Sequence, residues 1–398
     1  MSHEYSMKNN SKIVNAGRSA KWTQGVVNPP VYRASTVVFN SVAEMKHASA
    51  NKTKQTMFYG RRGTPTTFAF ADAMTELEGG AGCYVYPCGT AAITSAILAF
   101  VKNGDHLLMV DTSYEPTRDF CEKTLVDFGV EVTFYDPLIG KGIVDLIQEN
   151  TKVIFLESPG SLTMEVQDVP GICEVAHAQS QDITVILDNT WASPIHFQPF
   201  DYGVDVSVQA ATKYIVGHSD VMLGTATANE KSWPILREKS YLLGQCASPD
   251  DIYLAMRGIR TLGVRLKQHE KNSLQVAKWL AERPEVKTVL HPSLESCPGH
   301  EFFKRDFIGG NGLFSFVLNA SNEKALTALL DGMHHFKMGF SWGGYESLIL
   351  GVSGLKNMRS VTSWPHDGAL IRLHIGLEDV EDLIEDLERG FERLNALL

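Results

Sequence analysis

A lysine closes the run Val206-Ser207-Val208-Gln209-Ala210-Ala211-Thr212-Lys213-Tyr214. Valines alternate with polar residues at its start, which predicts a half-buried strand with Lys213 just past its end. Most lysines are solvated surface groups. A lysine held partly out of water has a lowered pKa and becomes a nucleophile for Schiff-base chemistry. A second loaded strand end is Thr184-Val185-Ile186-Leu187-Asp188. Asp188 reads either as a turn or helix cap, or as a carboxylate held at the sheet edge and able to pair with a cationic ring nitrogen. A third is Pro87-Cys88-Gly89-Thr90, which leads into the apolar run AAITSAILAF. A small-residue turn opening a helix offers free N–H groups and the positive dipole end, a seat for phosphate. The alternative is a plain turn. Neither GxxxxGKS/T nor GxGxxG occurs, so there is no P-loop and no dinucleotide fingerprint.

A phosphate seat, a strand-end aspartate and a strand-end lysine together fit pyridoxal phosphate. That cofactor needs a phosphate site, a Schiff-base lysine and an acidic partner for its ring nitrogen.

These groups must be positioned by a sheet. Short apolar runs at Tyr84–Tyr86, His106–Val110, Val130–Tyr135, Lys152–Leu156 and Thr184–Leu187 alternate with helix-like segments such as Thr90–Lys102 and Glu115–Phe128. That alternation predicts a mostly parallel sheet covered by helices, an α/β fold. Thr64-Pro65 can open a helix with proline at its first position, and Gly79-Gly80 can close it. Ligands in such sheets bind where strands end and helices begin. The first sixty residues are irregular and polar and read as an extended arm. The composition shifts near Ser248-Pro249, and Asp250 to Arg283 then reads as helix. Gly312–Leu318 and Ala369–Ile375 look like strands. Val380, Leu383, Ile384, Leu387, Phe391 and Leu394 form a helical stripe, with Asp379 placed to cap it. The expected organisation is an arm over 1–60, a large cofactor-binding domain over 61–255 and a smaller C-terminal α+β domain over 256–398.

Composition narrows the class. The 398-residue chain is 44% hydrophobic and 21% charged and carries a net charge of −10. Those values are ordinary for a globular protein and argue against nucleic acid as main partner. The six cysteines form no CxxC pair, which reads as free thiols in a reducing compartment. The polar first dozen residues hold no apolar signal core, and no stretch is apolar enough to span a bilayer. The expectation is a cytoplasmic enzyme with no membrane partner.

Other groups look bland. His218-Ser219-Asp220 has triad residue types, but adjacent side chains cannot form a relay, and it reads as a loop behind the lysine. His291, Cys297 and His300 lie in Pro/Gly-rich text that reads as a surface loop, so no metal site is expected.

Along nearly its whole length the sequence resembles the fold-type I pyridoxal-phosphate enzymes of cysteine and methionine metabolism. The matching text is YGRRGTPT from Tyr59, PCGTAAI from Pro87, ESPGS from Glu157 and LDNTWASP from Leu187. It continues with ATKYIVGHSDVMLGT from Ala211, SWGGYESL from Ser341 and IRLHIGLED from Ile371. Trp342 in the SWGG motif matches the bacterial branch that cleaves cystathionine at its β-carbon, since members acting at the γ-carbon usually carry leucine there. The resemblance implies a large domain with a mostly parallel seven-stranded sheet. It implies α,β-elimination of L-cystathionine to homocysteine, pyruvate and ammonia. Related activities on sulfur amino acids are the alternatives: cysteine desulfhydrase, methionine γ-lyase or cystathionine γ-synthase. A non-catalytic regulator or a cofactor carrier is a further alternative.

By resemblance, Lys213 would bond to the cofactor and then shuttle protons, and Asp188 would hold the ring nitrogen. Tyr114 would stack on the ring, and Gly89, Thr90 and Thr212 would bind the phosphate. Tyr59 and Arg61 would reach the phosphate from a neighbouring subunit of a homotetramer. Arg372 and Ser341 would hold the substrate α-carboxylate, with Trp342 lining the pocket. Two positions depart from the pattern. Ala210 stands where many relatives have a phosphate-binding serine, and Phe340 where the nearest usually have tyrosine.

Overall fold

The computed structural model describes residues 7–319, 322–352, 355 and 359–398. Seven strands form the first sheet: β1 (Gly82–Tyr86), β2 (His106–Val110), β3 (Glu131–Tyr135), β4 (Thr151–Glu157), β5 (Thr184–Asp188), β6 (Val206–Gln209) and β7 (Gly224–Ala228). Their order is β1-β7-β6-β5-β4-β2-β3. β6, β5, β4, β2 and β3 run parallel, whereas β7 is antiparallel to both β6 and β1. The expected mostly parallel seven-stranded sheet is therefore present. β2 and β5 are buried at every position, as strands covered by helices on both faces must be.

The helix Pro65–Glu78 starts as the sequence implies. Thr64 and Thr67 form a reciprocal capping box, proline occupies the first turn, and Gly79 ends the helix in a left-handed conformation at φ +80°. The helix Gly89–Phe100 packs its alanine and isoleucine face under the sheet. The segment expected as one helix over Glu115–Phe128 is regular only over Glu115–Asp119. It widens into a π-helical stretch at Phe120–Leu125 and tightens at Val126–Phe128 before Gly129.

The second sheet has β8 (Val286–Leu290), β9 (Leu313–Leu318), β10 (Lys337–Met338), β11 (Leu348–Val352) and β12 (Leu370–His374), in the order β10-β11-β12-β9-β8. The terminal helix Val380–Asn395 buries Val380, Leu383, Leu387, Phe391 and Leu394 against it. Asp379 stands at its N-cap position, but its side chain makes no capping bond.

One expectation needs correcting. The arm is not simply extended: Asn9–Asn15, Ala20–Thr23 and Val42–Ala50 are helical. Ile13 and Trp22 enter the core shared by the helices Pro65–Glu78 and Pro249–Ala281. Trp22 Nε1 donates to Asp72 at 2.7 Å, and Arg260 Nη1 donates to the carbonyls of Ile13, Val14 and Ala16. Single apolar residues in polar text carry no periodicity, so their burial left no trace in the pattern. The helix Pro249–Ala281 is continuous over 33 residues and crosses the expected 255/256 boundary.

Candidate active site

β4 and β5 end side by side, with Glu157 in register with Asp188, and β6 ends next to β5. Strand ends, the turn into the helix Gly89–Phe100 and loops of the second sheet enclose a cleft of about 270 Å³. Lys213, Asp188, Tyr114, Gly89, Thr90, Thr212, Ser341, Trp342 and Arg372 all line it. Nine residues scattered along the sequence thus meet in one place.

Lys213 is half-buried, and its Nζ donates to Ser341 Oγ at 2.6 Å. The amine lies 5.0 Å from the Trp342 ring centre. Burial, and then the positive charge of Arg372, lower its pKa to about 8 against the pull of Asp188. The neutral amine is the nucleophile, and it gains population as pH rises through that value. Capture of added cofactor by the cofactor-free enzyme should therefore accelerate with pH to a plateau above about 8. Stopped-flow absorbance would measure it. A rate still climbing steeply at pH 9.5–10.5, in the range of ordinary lysines, would show that the site does not tune Lys213.

Asp188 is buried, and burial raises its carboxyl pKa while Lys213 lowers it. Its Oδ1 accepts from Thr190 N at 3.0 Å and from the Thr190 hydroxyl. One oxygen stabilises the turn, and the carboxyl group also lines the cleft.

Ser341 holds two other groups. Besides accepting from Lys213, its carbonyl accepts from Arg372 Nη2 at 3.0 Å. Its φ is +74°, a left-handed value that costs a non-glycine residue energy. The strained turn is what aims hydroxyl and carbonyl at the two cations together. Burial lowers the Arg372 pKa, yet a guanidinium stays charged at any ordinary pH.

The turn at Pro87-Cys88-Gly89 offers a cradle with no side chain at Gly89. A Cβ on Gly89 would stand 2.6 Å from the Ala210 Cβ, so only glycine fits. Ala210 N donates to the Thr190 hydroxyl at 2.8 Å. The Thr212 hydroxyl is already engaged, donating to Leu223 O at 3.2 Å and accepting from Leu223 N at 2.9 Å. Phe340 stands at the rim, 87% exposed. Tyr59 and Arg61 are not in this cleft. Arg61 lies over the Tyr241 ring at 4.0 Å and donates to Tyr241 O at 2.8 Å.

Sequence reasoning passed over Glu157. Its Oε2 accepts from Tyr114 N at 2.7 Å, and burial together with Asp188 holds its carboxyl well above the usual range. The signal was there: Ile154-Phe155-Leu156-Glu157 repeats the strand-end acid pattern of Val185-Ile186-Leu187-Asp188. The segment read as a surface loop is also revised, because His291 and Cys297 are buried. His291 meets Ser273 Oγ, Cys297 donates to Met164 O and His300 meets Pro292 O, so the three side chains serve separate packing contacts.

The fit to pyridoxal phosphate is good on this geometry. The donor set comprises a partly desolvated amine, a buried strand-end carboxylate, a tyrosine ring face and a glycine-only cradle at a helix start.

Comparisons with known proteins agree. A family model described as "Cys/Met metabolism PLP-dependent enzyme" matches residues 10–392. The chain is 54% identical over 390 residues to the cystathionine beta-lyase MetC of Escherichia coli, covering 97% of this chain and 99% of that protein. It is 52% identical over 385 residues to a cystathionine beta-lyase of Haemophilus influenzae, covering 96% and 97%. Among solved structures, a cystathionine gamma synthase from Xanthomonas oryzae, in complex with aminoacrylate and cysteine, superposes with a TM-score of 0.89. It is 30% identical and covers 99% of this chain and 100% of its own.

Proposed function

This chain belongs to the family of PLP-dependent enzymes of Cys/Met metabolism, and from that premise we propose that it cleaves L-cystathionine by α,β-elimination to homocysteine, pyruvate and ammonia. The observation that carries the reading is Ser341, which holds the Lys213 amine and the Arg372 guanidinium on one residue. A proton carrier and a carboxylate anchor are thereby fixed relative to each other.

Bound pyridoxal phosphate supplies an electron sink for the charge that develops at the substrate Cα. The protein's own groups do the rest. Arg372 exchanges its bond to the Ser341 carbonyl for a bidentate pair with the substrate α-carboxylate. That grip sets the Cα–H bond toward Lys213. Lys213 Nζ takes the Cα proton and returns one to the sulfur that leaves Cβ, so one amine serves both steps, and water hydrolyses the released 2-aminoacrylate to pyruvate and ammonia. Asp188 would hold the ring nitrogen of the cofactor and Tyr114 would cover its ring, while Glu157 holds the Tyr114 backbone. Trp342 and Leu162 form part of the wall that keeps water from the reacting bonds.

Product identity tests this directly. Pyruvate and homocysteine from L-cystathionine support β-cleavage. 2-Oxobutyrate and cysteine would instead assign γ-cleavage and overturn the proposal.

The site is also proposed to be shared between subunits of a homotetramer. Arg61 lies outside its own chain's cleft, against Tyr241, and Tyr59 is 43% exposed beside it. To serve a neighbour, Arg61 exchanges its bond to the Tyr241 carbonyl for the neighbour's site, while Tyr59 is already exposed. Arg61→Ala and Lys213→Ala enzymes should each be nearly inactive. Mixing them with subunit exchange should restore up to about a quarter of wild-type sites, since a hybrid dimer holds one intact site. Exchange without recovery would put both residues in the same chain's site. No helix among the described residues is long and apolar enough to cross a membrane. A cytoplasmic location remains part of the same proposal.

A further inference from the structure

The segment 359–362 lies between β11 and β12, the latter carrying Arg372, yet it is fastened to the first sheet. Its anchor is Asp111, the residue that follows β2, whose side chain is 0% exposed. Asp111 accepts from the Ser360 hydroxyl at 2.6 Å, from Ser360 N at 3.0 Å, from Val361 N at 3.1 Å and from Thr362 N at 3.3 Å. Arg118 completes the set: its Nη1 meets Asp111 Oδ1 at 2.9 Å, and its Nη2 donates to Ser360 Oγ at 3.1 Å. A second anchor sits beside the first. Arg359 donates to the Thr163 hydroxyl at 2.8 Å and pairs with Glu165, with both of those charged side chains nearly buried.

Both anchors belong to loops that wall the cleft. Asp111 begins the turn Asp111-Thr112-Ser113-Tyr114, which presents the Tyr114 ring. Thr163 and Glu165 belong to the loop whose Gly160, Ser161, Leu162 and Met164 line the same cleft. The two loops are stitched together, with Ser161 N donating to Thr112 O at 2.8 Å. One short segment of the second sheet's chain therefore grips both loops.

We propose that Asp111 is a positioning residue: by clasping segment 359–362 it fixes the turn that carries Tyr114 relative to the sheet that carries Arg372. The inference rests on reading the cleft as the cofactor and substrate site. Five donors converge on one carboxylate, enough to hold a turn in one conformation. Tyr114 N donates to Glu157, and the Tyr114 carbonyl accepts from Thr117 N at 2.8 Å and Arg118 N at 3.2 Å, so its placement depends on the turn that Asp111 opens and on the helix whose Arg118 also grips Asp111.

The test uses holoenzyme carrying Asp111→Asn, which keeps the shape but removes the charge and points a donor at other donors. Ser360→Ala, which removes one hydroxyl only, is the milder second variant. Hydrogen exchange read by mass spectrometry should speed up at least tenfold in peptides covering 111–114 and 359–362 together. The visible circular dichroism of the bound cofactor should shrink, and kcat should fall about tenfold for Asp111→Asn and less for Ser360→Ala. Faster exchange in 359–362 alone, with 111–114 and the dichroism unchanged, would overturn the proposal. So would a lowered melting temperature with unchanged exchange, dichroism and kcat at 25 °C, which is what a purely stabilising residue gives. If the wild-type enzyme binds cofactor but does not cleave cystathionine, the proposed reaction fails, and exchange and dichroism still decide the role of Asp111.

Discussion

Lys213→Ala is expected to lower kcat for cystathionine cleavage by at least about 10³-fold, or about 4 kcal/mol in the barrier. The size follows from the two proton steps assigned to one amine. Among the described residues Lys213 is the one lysine that lines the cleft. The wall around it should survive, because Ser341 loses a donor but keeps its carbonyl bond to Arg372. The variant should fold, bind cofactor without a covalent link and regain some activity with a small added amine. Retention of a tenth or more of wild-type kcat would show that another group carries the protons.

The next largest effect is expected at Asp188. Asp188→Asn should cost about 3 kcal/mol in the chemical step, some 10²-fold in kcat. The structure makes this substitution unusually informative. Asparagine keeps an Oδ1 able to accept from Thr190 N and the Thr190 hydroxyl, so the turn stays intact. What disappears is the negative charge facing the cleft. Steady-state kinetics alongside a thermal melt separate the two roles. Near wild-type kcat with normal cofactor binding would mean that Asp188 matters only as a turn residue.

The parallel core of the first sheet was legible because its strands are continuous apolar runs broken by helix signals. β7 was not, since Gly224-Thr225-Ala226-Thr227-Ala228 has small side chains and no hydrophobic period, although every position is buried. One close approach explains its first residue: a Cβ on Gly224 would run into the Cys88 carbonyl oxygen. At the site, the chemically distinctive residues were readable one strand end at a time. Lys213, Asp188 and the Gly89 turn follow from strand-end chemistry alone. Arg372, Ser341 and Trp342 came only through resemblance, because nothing local in a β-strand arginine or an SWGG loop announces a carboxylate site. Glu157 was legible by the same strand-end rule as Asp188 and was passed over. The Asp111 clasp was missed for a different reason: its partner Ser360 is brought to it by the approach of a distant segment, which no local pattern encodes.

The helix Pro249–Ala281 has a further consequence. At 1.5 Å per residue it is about 50 Å long. Its first half buries Ile252, Ala255, Ile259, Leu262 and Leu266 in the core shared with the arm and the helix Pro65–Glu78. Its last turns bury Val276, Ala277 and Leu280 under the second sheet. Melting either core strips support from a helix that the other core needs, and helix loss spreads along the axis because nucleating it afresh is costly. The two sheets are thus thermodynamically yoked: partial unfolding that spares one of them is penalised, and the chain behaves as one cooperative unit more than as two domains joined by a tether.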